Sequence, residues 1–123
     1  MTLGETVRRF DLLYPNAMEL PLKTDLISFL EGRLNREILA LYGEDEPAFT
    51  GYSAAADADR TLLIPFPFDD IYLKFLAAEN DLVNGDTARY LNSAAVFNSA
   101  WDMLAAYYNR TRIRPNETHL KLN

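Results

Sequence analysis

The stretch "ARYLNSAAVFNSAWDMLAAYYNR", residues 88–110, decides how this chain folds. Tyr90, Ala94, Phe97, Trp101, Leu104 and Tyr108 recur at steps of 4, 3, 4, 3 and 4, the period of one helix face. A second stripe, Val96, Ala100, Met103 and Tyr107, follows steps of 4, 3 and 4 and lies roughly 100° away around the same axis. The pattern predicts a fourth helix from about Asp86 to Asn109, on the order of 36 Å long. One stripe would serve an intramolecular core. Two imply a central helix enclosed by neighbours, or a helix whose second face is given to another subunit.

Working outward, "NGD" at residues 84–86 is a tight break, and before it Ile71, Tyr72, Phe75, Leu76, Glu79 and Val83 lie along one side of a third helix ending near Val83. That helix is expected to start at Asp69 or Asp70, either carboxylate capping its N-terminus and meeting the helix dipole. So short a connection makes the third and fourth helices antiparallel neighbours. Tyr72, Phe75, Tyr90, Phe97 and Trp101 are then the expected packing residues of a helical hairpin.

Farther toward the N-terminus, Thr2 and Glu5 have the spacing of a capping box, and Leu3, Val7, Phe10 and Leu13 or Tyr14 give a first helix one apolar face, ended by Pro15. "PNAMELP" is a turn. Leu22, Leu26, Phe29, Leu30, Leu34, Ile38 and Leu41 predict a second helix from about Leu22 to Tyr42, stopped by Gly43. Gly32, inside that helix, is read as the close approach of another backbone ahead of simple tolerance. Residues 43–61 form a long acidic loop, of the kind that binds or moves, and Leu62–Ile64 read as a short strand that the following prolines restrict to an edge or an extended link. The expected fold is all-α: a single helical domain over 1–110 with about four helices, and an extended basic C-terminal arm over 111–123. Val96, Ala100, Met103 and Tyr107, with Arg110, Arg112 and Arg114 of the arm, are the candidate subunit interface.

Composition narrows the function classes. The 123 residues are 49% hydrophobic and 12% aromatic, a globular balance, and there is no cysteine for a disulfide, thiolate or thiol-based metal site. With no signal-like start and no long apolar run, a cytoplasmic origin without a membrane is expected, and the N-x-T triplets at Asn109 and Asn116 are read as chance. The net charge is −6, carried by an acidic body, whereas Arg110, Arg112, Arg114 and Lys121 face only Glu117 in the C-terminal segment. An acidic body argues against tight wrapping of DNA and suits a surface that DNA slides past.

No local motif announces catalysis. His119 is the only histidine and is expected to be exposed, so neither a histidine-pair metal site nor a serine–histidine triad can be built. The carboxylate pairs Asp69/Asp70, Asp57/Asp59 and Glu79/Asp81 read as caps or solvated charges. "NDLVNGDTARYL" fails as a calcium loop, because aligning Gly85 with the invariant glycine places leucines at two ligand positions. The aromatics of the fourth helix lack the interleaved Lys and Arg of a base-stacking platform. We expect no enzyme activity, metal or cofactor.

The pieces also follow a recognisable order. A helix ending in "YPNAM" (14–18), a helix with "LISFLEGRLNREIL" (26–39), an acidic loop and then residues 62–110 resemble a family of small helical proteins of tailed bacteriophages and prophages, the head-tail connector or DNA-packaging (head completion) proteins. The matching positions are Leu62, Pro65, Pro67, Phe68, Asp69 and Tyr72, then Asn84, Gly85, Asp86, Arg89 and Tyr90, then Asn92, Ala94, Phe97, Asn98, Ala100 and Trp101. The resemblance covers about residues 3–110, and "RIRPNETHLKLN" departs from it. It implies a structural subunit of the virion neck: a homo-oligomeric ring below the portal protein, extending the DNA channel without sequence-specific binding and receiving a downstream neck or tail protein. On the residues alone, a small cytoplasmic helical adaptor or regulator that dimerises through its long C-terminal helix is the alternative.

Overall fold

Thr2 opens the first helix as its capping spacing predicts: its hydroxyl accepts the Glu5 N–H at 3.1 Å, and α1 runs Leu3–Leu13. The computed structural model describes residues 1–115, and the expected exposure of His119 and the arm beyond Pro115 fall outside those residues. Three more helices follow, α2 (Leu20–Glu37), α3 (Ile71–Val83) and α4 (Thr87–Thr111), and no strand forms among the described residues. The chain is all-α.

Two helix boundaries differ from the periodic reading. Pro21 fits the first turn of α2, where its missing N–H has no partner to lose, so the helix starts before Leu22. It also does not run unbroken to Tyr42. After Glu37 the backbone tightens into a 3₁₀ turn, Leu39–Tyr42, whose three-residue period lets Leu39 and Tyr42 both enter the core. Gly43 then closes it at φ 72°, a left-handed conformation that glycine adopts without strain.

The expected cap of α3 is replaced too. A 3₁₀ turn, Phe68–Asp70, leads into the helix, and neither aspartate caps it through its side chain: Asp70 pairs with Lys74 at 3.1 Å and Asp69 with the Met1 amine at 3.5 Å. At the other end Gly85 turns the chain at φ 71° and Asp86 caps α4 by accepting the Arg89 N–H at 3.1 Å. Helices α3 and α4 form the antiparallel hairpin, the most extensive helix pair in the molecule. Asp81 on α3 fixes its register by accepting from Ser93 Oγ on α4 at 2.8 Å.

Of the two readings of Leu62–Ile64, the extended link is formed and the edge strand is not, and the reason lies in where its N–H groups go. Leu63 N–H donates to Glu31 Oε1 and Ile64 N–H to Tyr72 Oη, each at 2.9 Å. Side chains take the donors that a ladder would have used. What remains is one antiparallel bridge, Thr2 with Thr61.

The core lies where α1, α2 and α3 meet, around Phe10, Ile27, Leu30, Leu34, Ile64, Tyr72 and Leu76. A polar stripe on α2 reads through it. Ser28, Glu31 and Asn35, at steps of three and four, each accept a backbone N–H from the crossing chain: Tyr52 at 2.8 Å, Leu63 at 2.9 Å and Glu46 at 3.2 Å. The long acidic loop is thus tied along α2. Gly32, on the same helix, does not mark a backbone approach, because a β-carbon there would meet nothing within 4 Å. Its expected role in close packing is corrected to open space beside the helix.

Candidate functional site

Helix α4 lies across the outside of the domain. Of its 25 residues only Phe97, Leu104 and Tyr108 are buried, one line along the helix that rests on α3. Phe97 meets Phe75 with ring centroids 5.2 Å apart, and Tyr108 stacks on Tyr42 at 6.4 Å. Every other side of the helix is partly or fully open.

The two sides of that buried line differ in chemistry. Toward α2, half-buried Trp101 lies 6.1 Å from Phe97, and the Arg33 guanidinium sits 4.5 Å above the indole centroid. Arg33 is held there by Glu37 at 2.6 Å. Phe29, 61% exposed, extends this face and stacks on Phe75 at 6.3 Å. Cation–π contact with a half-buried indole is worth on the order of 1 kcal/mol, so this side is already partly satisfied within the chain.

The opposite side carries the second stripe. Val96 and Met103 are 53% and 64% exposed, while Ala100 and Tyr107 are half-buried. Tyr107 packs on Phe68 with centroids 4.6 Å apart, and Phe66, two residues earlier in the chain, is 85% exposed. Pro67, Phe68, Lys74, Ala100 and Met103 line a shallow groove of about 210 Å³ between the α3 entry and α4. This face is apolar, open and rimmed by charge.

The residues expected to pack the hairpin divide by depth. Tyr72, Phe75 and Phe97 are buried, whereas Tyr90 and Trp101 are half-buried. The basic residues after the second stripe divide as well. Arg110 is exposed and Arg114 half-buried. Arg112 turns back onto its own domain: its Nε donates to Glu44 Oε2 at 3.0 Å, and its guanidinium lies 4.3 Å over the Tyr108 ring.

Comparison with known proteins gives no relative. No family model, curated protein or solved structure matches the chain.

One polar site has no counterpart in the apolar periodicity of the sequence. Glu31 is fully buried and accepts from Tyr52 Oη at 3.0 Å, Tyr72 Oη at 2.9 Å and the Leu63 N–H. Burial pushes its carboxyl above the ordinary value, outweighing the hydrogen bonds that favour the charged form. The same burial, with the Glu31 charge beside them, pushes both tyrosine hydroxyls up. A signal was present: Thr24, Ser28, Glu31 and Asn35 follow steps of 4, 3 and 4 inside α2. The network sits in a closed core with its donors spent on structure, so it reads as an anchor for the loop. Among the described residues no group of three or more His, Cys, Asp or Glu side chains is placed to hold a metal ion, and no helix is long and apolar enough to cross a membrane.

Proposed function

We propose that this chain is a structural subunit of a tailed-phage or prophage neck, one copy of a ring that sits below the portal protein, extends the DNA channel and receives the next neck or tail component. The observation that carries the reading is the pair of unlike apolar faces on either side of the buried line of α4: Phe29 and Trp101 with Arg33 on one, Val96 and Met103 on the other. A closed ring needs two different complementary patches on each subunit, because its contacts are head to tail. A symmetric dimer needs only one. The family resemblance of residues 3–110 supports the same assignment, and the acidic body suits a channel wall that DNA passes without sticking.

The test is assembly with the portal protein of the same phage or prophage. The full chain mixed with that portal should give ring particles by negative-stain microscopy and a stepped mass by light scattering. Val96→Asp with Met103→Asp should abolish the rings and leave the monomer's melting unchanged. A strict monomer with the portal present would sink the proposal, and a dimer abolished by the same pair of substitutions would favour the helical adaptor.

A further inference from the structure

A cavity of about 350 Å³ lies between α1, α2 and the acidic loop, a size within the range of small-ligand pockets. Leu3 and Val7 of α1 and Leu20 and Thr24 of α2 line two of its sides, and Ala54 and Ala58 of the loop line a third. The loop side is pinned, because the Leu3 and Gly4 N–H groups donate to the Arg60 and Ala58 carbonyls at 2.9 and 2.8 Å. A β-carbon on Gly4 would lie 3.0 Å from the Ala58 oxygen, so glycine there lets the loop come this close. The Thr24 hydroxyl is spent on the Leu20 carbonyl at 2.9 Å. These walls are mostly apolar and already in place.

Arg8, Asp11 and Lys23 are the charged residues of the lining. Lys23 is 6% exposed, and its Nζ donates to Asp11 Oδ1 at 2.7 Å and to Asn16 Oδ1 at 3.5 Å. An ammonium carries three donors, so one remains for a further acceptor. Arg8 stands one helical turn before Asp11 on the same face of α1, and its Nη1 lies 3.4 Å from the place a β-carbon on Gly4 would occupy. Among the described residues Arg8 forms no hydrogen bond or ion pair. Asp11 offsets Lys23, which leaves the lining one uncompensated positive charge on a chain whose net charge is −6. Of the carboxylates flanking Ala58, Asp57 accepts the Ser53 N–H at 2.7 Å and meets Arg60 at 3.8 Å, and Asp59 is exposed. A monoanion with a hydrocarbon body matches this lining. A phosphate dianion would bring surplus charge and nothing for the apolar walls.

We propose that this cavity binds a small amphipathic monocarboxylate, its carboxylate held by Arg8 and Lys23 and its hydrocarbon end against Leu3, Val7, Leu20 and the two loop alanines. The ligand touches α1, α2 and the loop together, so its binding fastens the loop to the helical body. This concerns the free chain and stands apart from the ring assignment.

Octanoate, kept well below its aggregation concentration, is the probe, titrated into the isotope-labelled full chain. Amide shifts should saturate at Leu3, Gly4, Val7, Lys23 and Ala58 and stay small at Val96 and Met103 on the open face of α4. Octanol and acetate, which carry the tail or the charge alone, should each bind at least about tenfold more weakly. Arg8→Gln should weaken octanoate about fivefold, the share of one net hydrogen bond, without changing the melting temperature, and Arg8→Lys should keep most of the affinity. Ala58→Leu should fill the cavity and abolish binding, with Ala54→Leu as the second filling variant. Equal shifts at Val96 and Met103 would mean that octanoate coats exposed carbon generally and would overturn the proposal. So would octanol binding as tightly as octanoate, inorganic phosphate displacing it, or an affinity unchanged in Arg8→Gln.

Discussion

Tyr72 Oη donates to Glu31 Oε2 at 2.9 Å across 41 positions of sequence, and the same hydroxyl oxygen accepts the buried Ile64 N–H at 2.9 Å. One phenol thus joins the middle of α2 to the start of α3 and holds the extended segment between them. Tyr52 and Leu63 bring two more donors to the same carboxylate from the long loop. The loop is anchored by polar contacts to a carboxylate that is itself fully buried.

Removing that phenol should expose the strength of the anchor. Tyr72→Phe leaves the Ile64 N–H without its acceptor and Glu31 with one donor fewer, at little change in volume. Urea unfolding should show a loss of about 1–3 kcal/mol, the cost of an unpaired buried polar group. A loss below about 0.5 kcal/mol, the range typical of surface changes, would mean that water or a neighbour replaces the contact.

The same carboxyl gives a pH dependence of defined sign. Its folded pKa lies above the ordinary value of 4.5, so between those two values the folded state binds more protons than the unfolded state. Stability therefore falls as pH rises through that window and is fully present below 4.5. Glu31→Gln removes the titration. The stability of the native chain minus that of Glu31→Gln, from urea curves between acid and neutral pH, should decrease as pH rises. A difference that is flat or rises with pH would refute the raised pKa.

Gly32 offers a stabilising substitution. With helical geometry and open space around it, Gly32→Ala should raise stability by about 0.5–1 kcal/mol by reducing the freedom of the unfolded chain and improving helix propensity. Thermal melting followed by circular dichroism measures it. A destabilised variant would show that the helix is not regular at this position.

Helix α4 should respond according to depth. Phe97→Ala opens a cavity against Phe75 and should cost about 3–5 kcal/mol, and Trp101→Ala, half-buried under Arg33, should cost less. Met103→Ser on the open face should stay within about 0.5 kcal/mol in the monomer. An equal penalty at positions 97 and 103 would place the stripes on the helix differently from the structure described here.

The order of helices was legible because its signals are local. The spacing of Phe97, Trp101, Leu104 and Tyr108, the Thr2–Glu5 cap and the Gly43 and Gly85 stops each act within a few residues, and "NGD" is too short for anything but a hairpin. The same reading left Leu62–Ile64 open between an edge strand and an extended link and missed the role of Glu31 for one reason. Both depend on a hydrogen bond whose partners are tens of residues apart, and an apolar period carries no record of it. The candidate interface was only half legible: the sequence singled out Val96 and Met103, whereas the exposure of Phe29 and Phe66 follows from where α2 and the turn before α3 come to rest.

The sequence by itself determined an all-α chain with a terminal helical hairpin, since helix periodicity, capping and turn chemistry are properties of neighbouring residues. Tertiary structure alone decided how deep each residue of the packed α4 stripe sits, that a fully buried glutamate ties down the acidic loop, and that Gly32 faces open space. Those outcomes rest on long-range burial, where the desolvation of a polar group is fixed by whatever partner the fold brings to it.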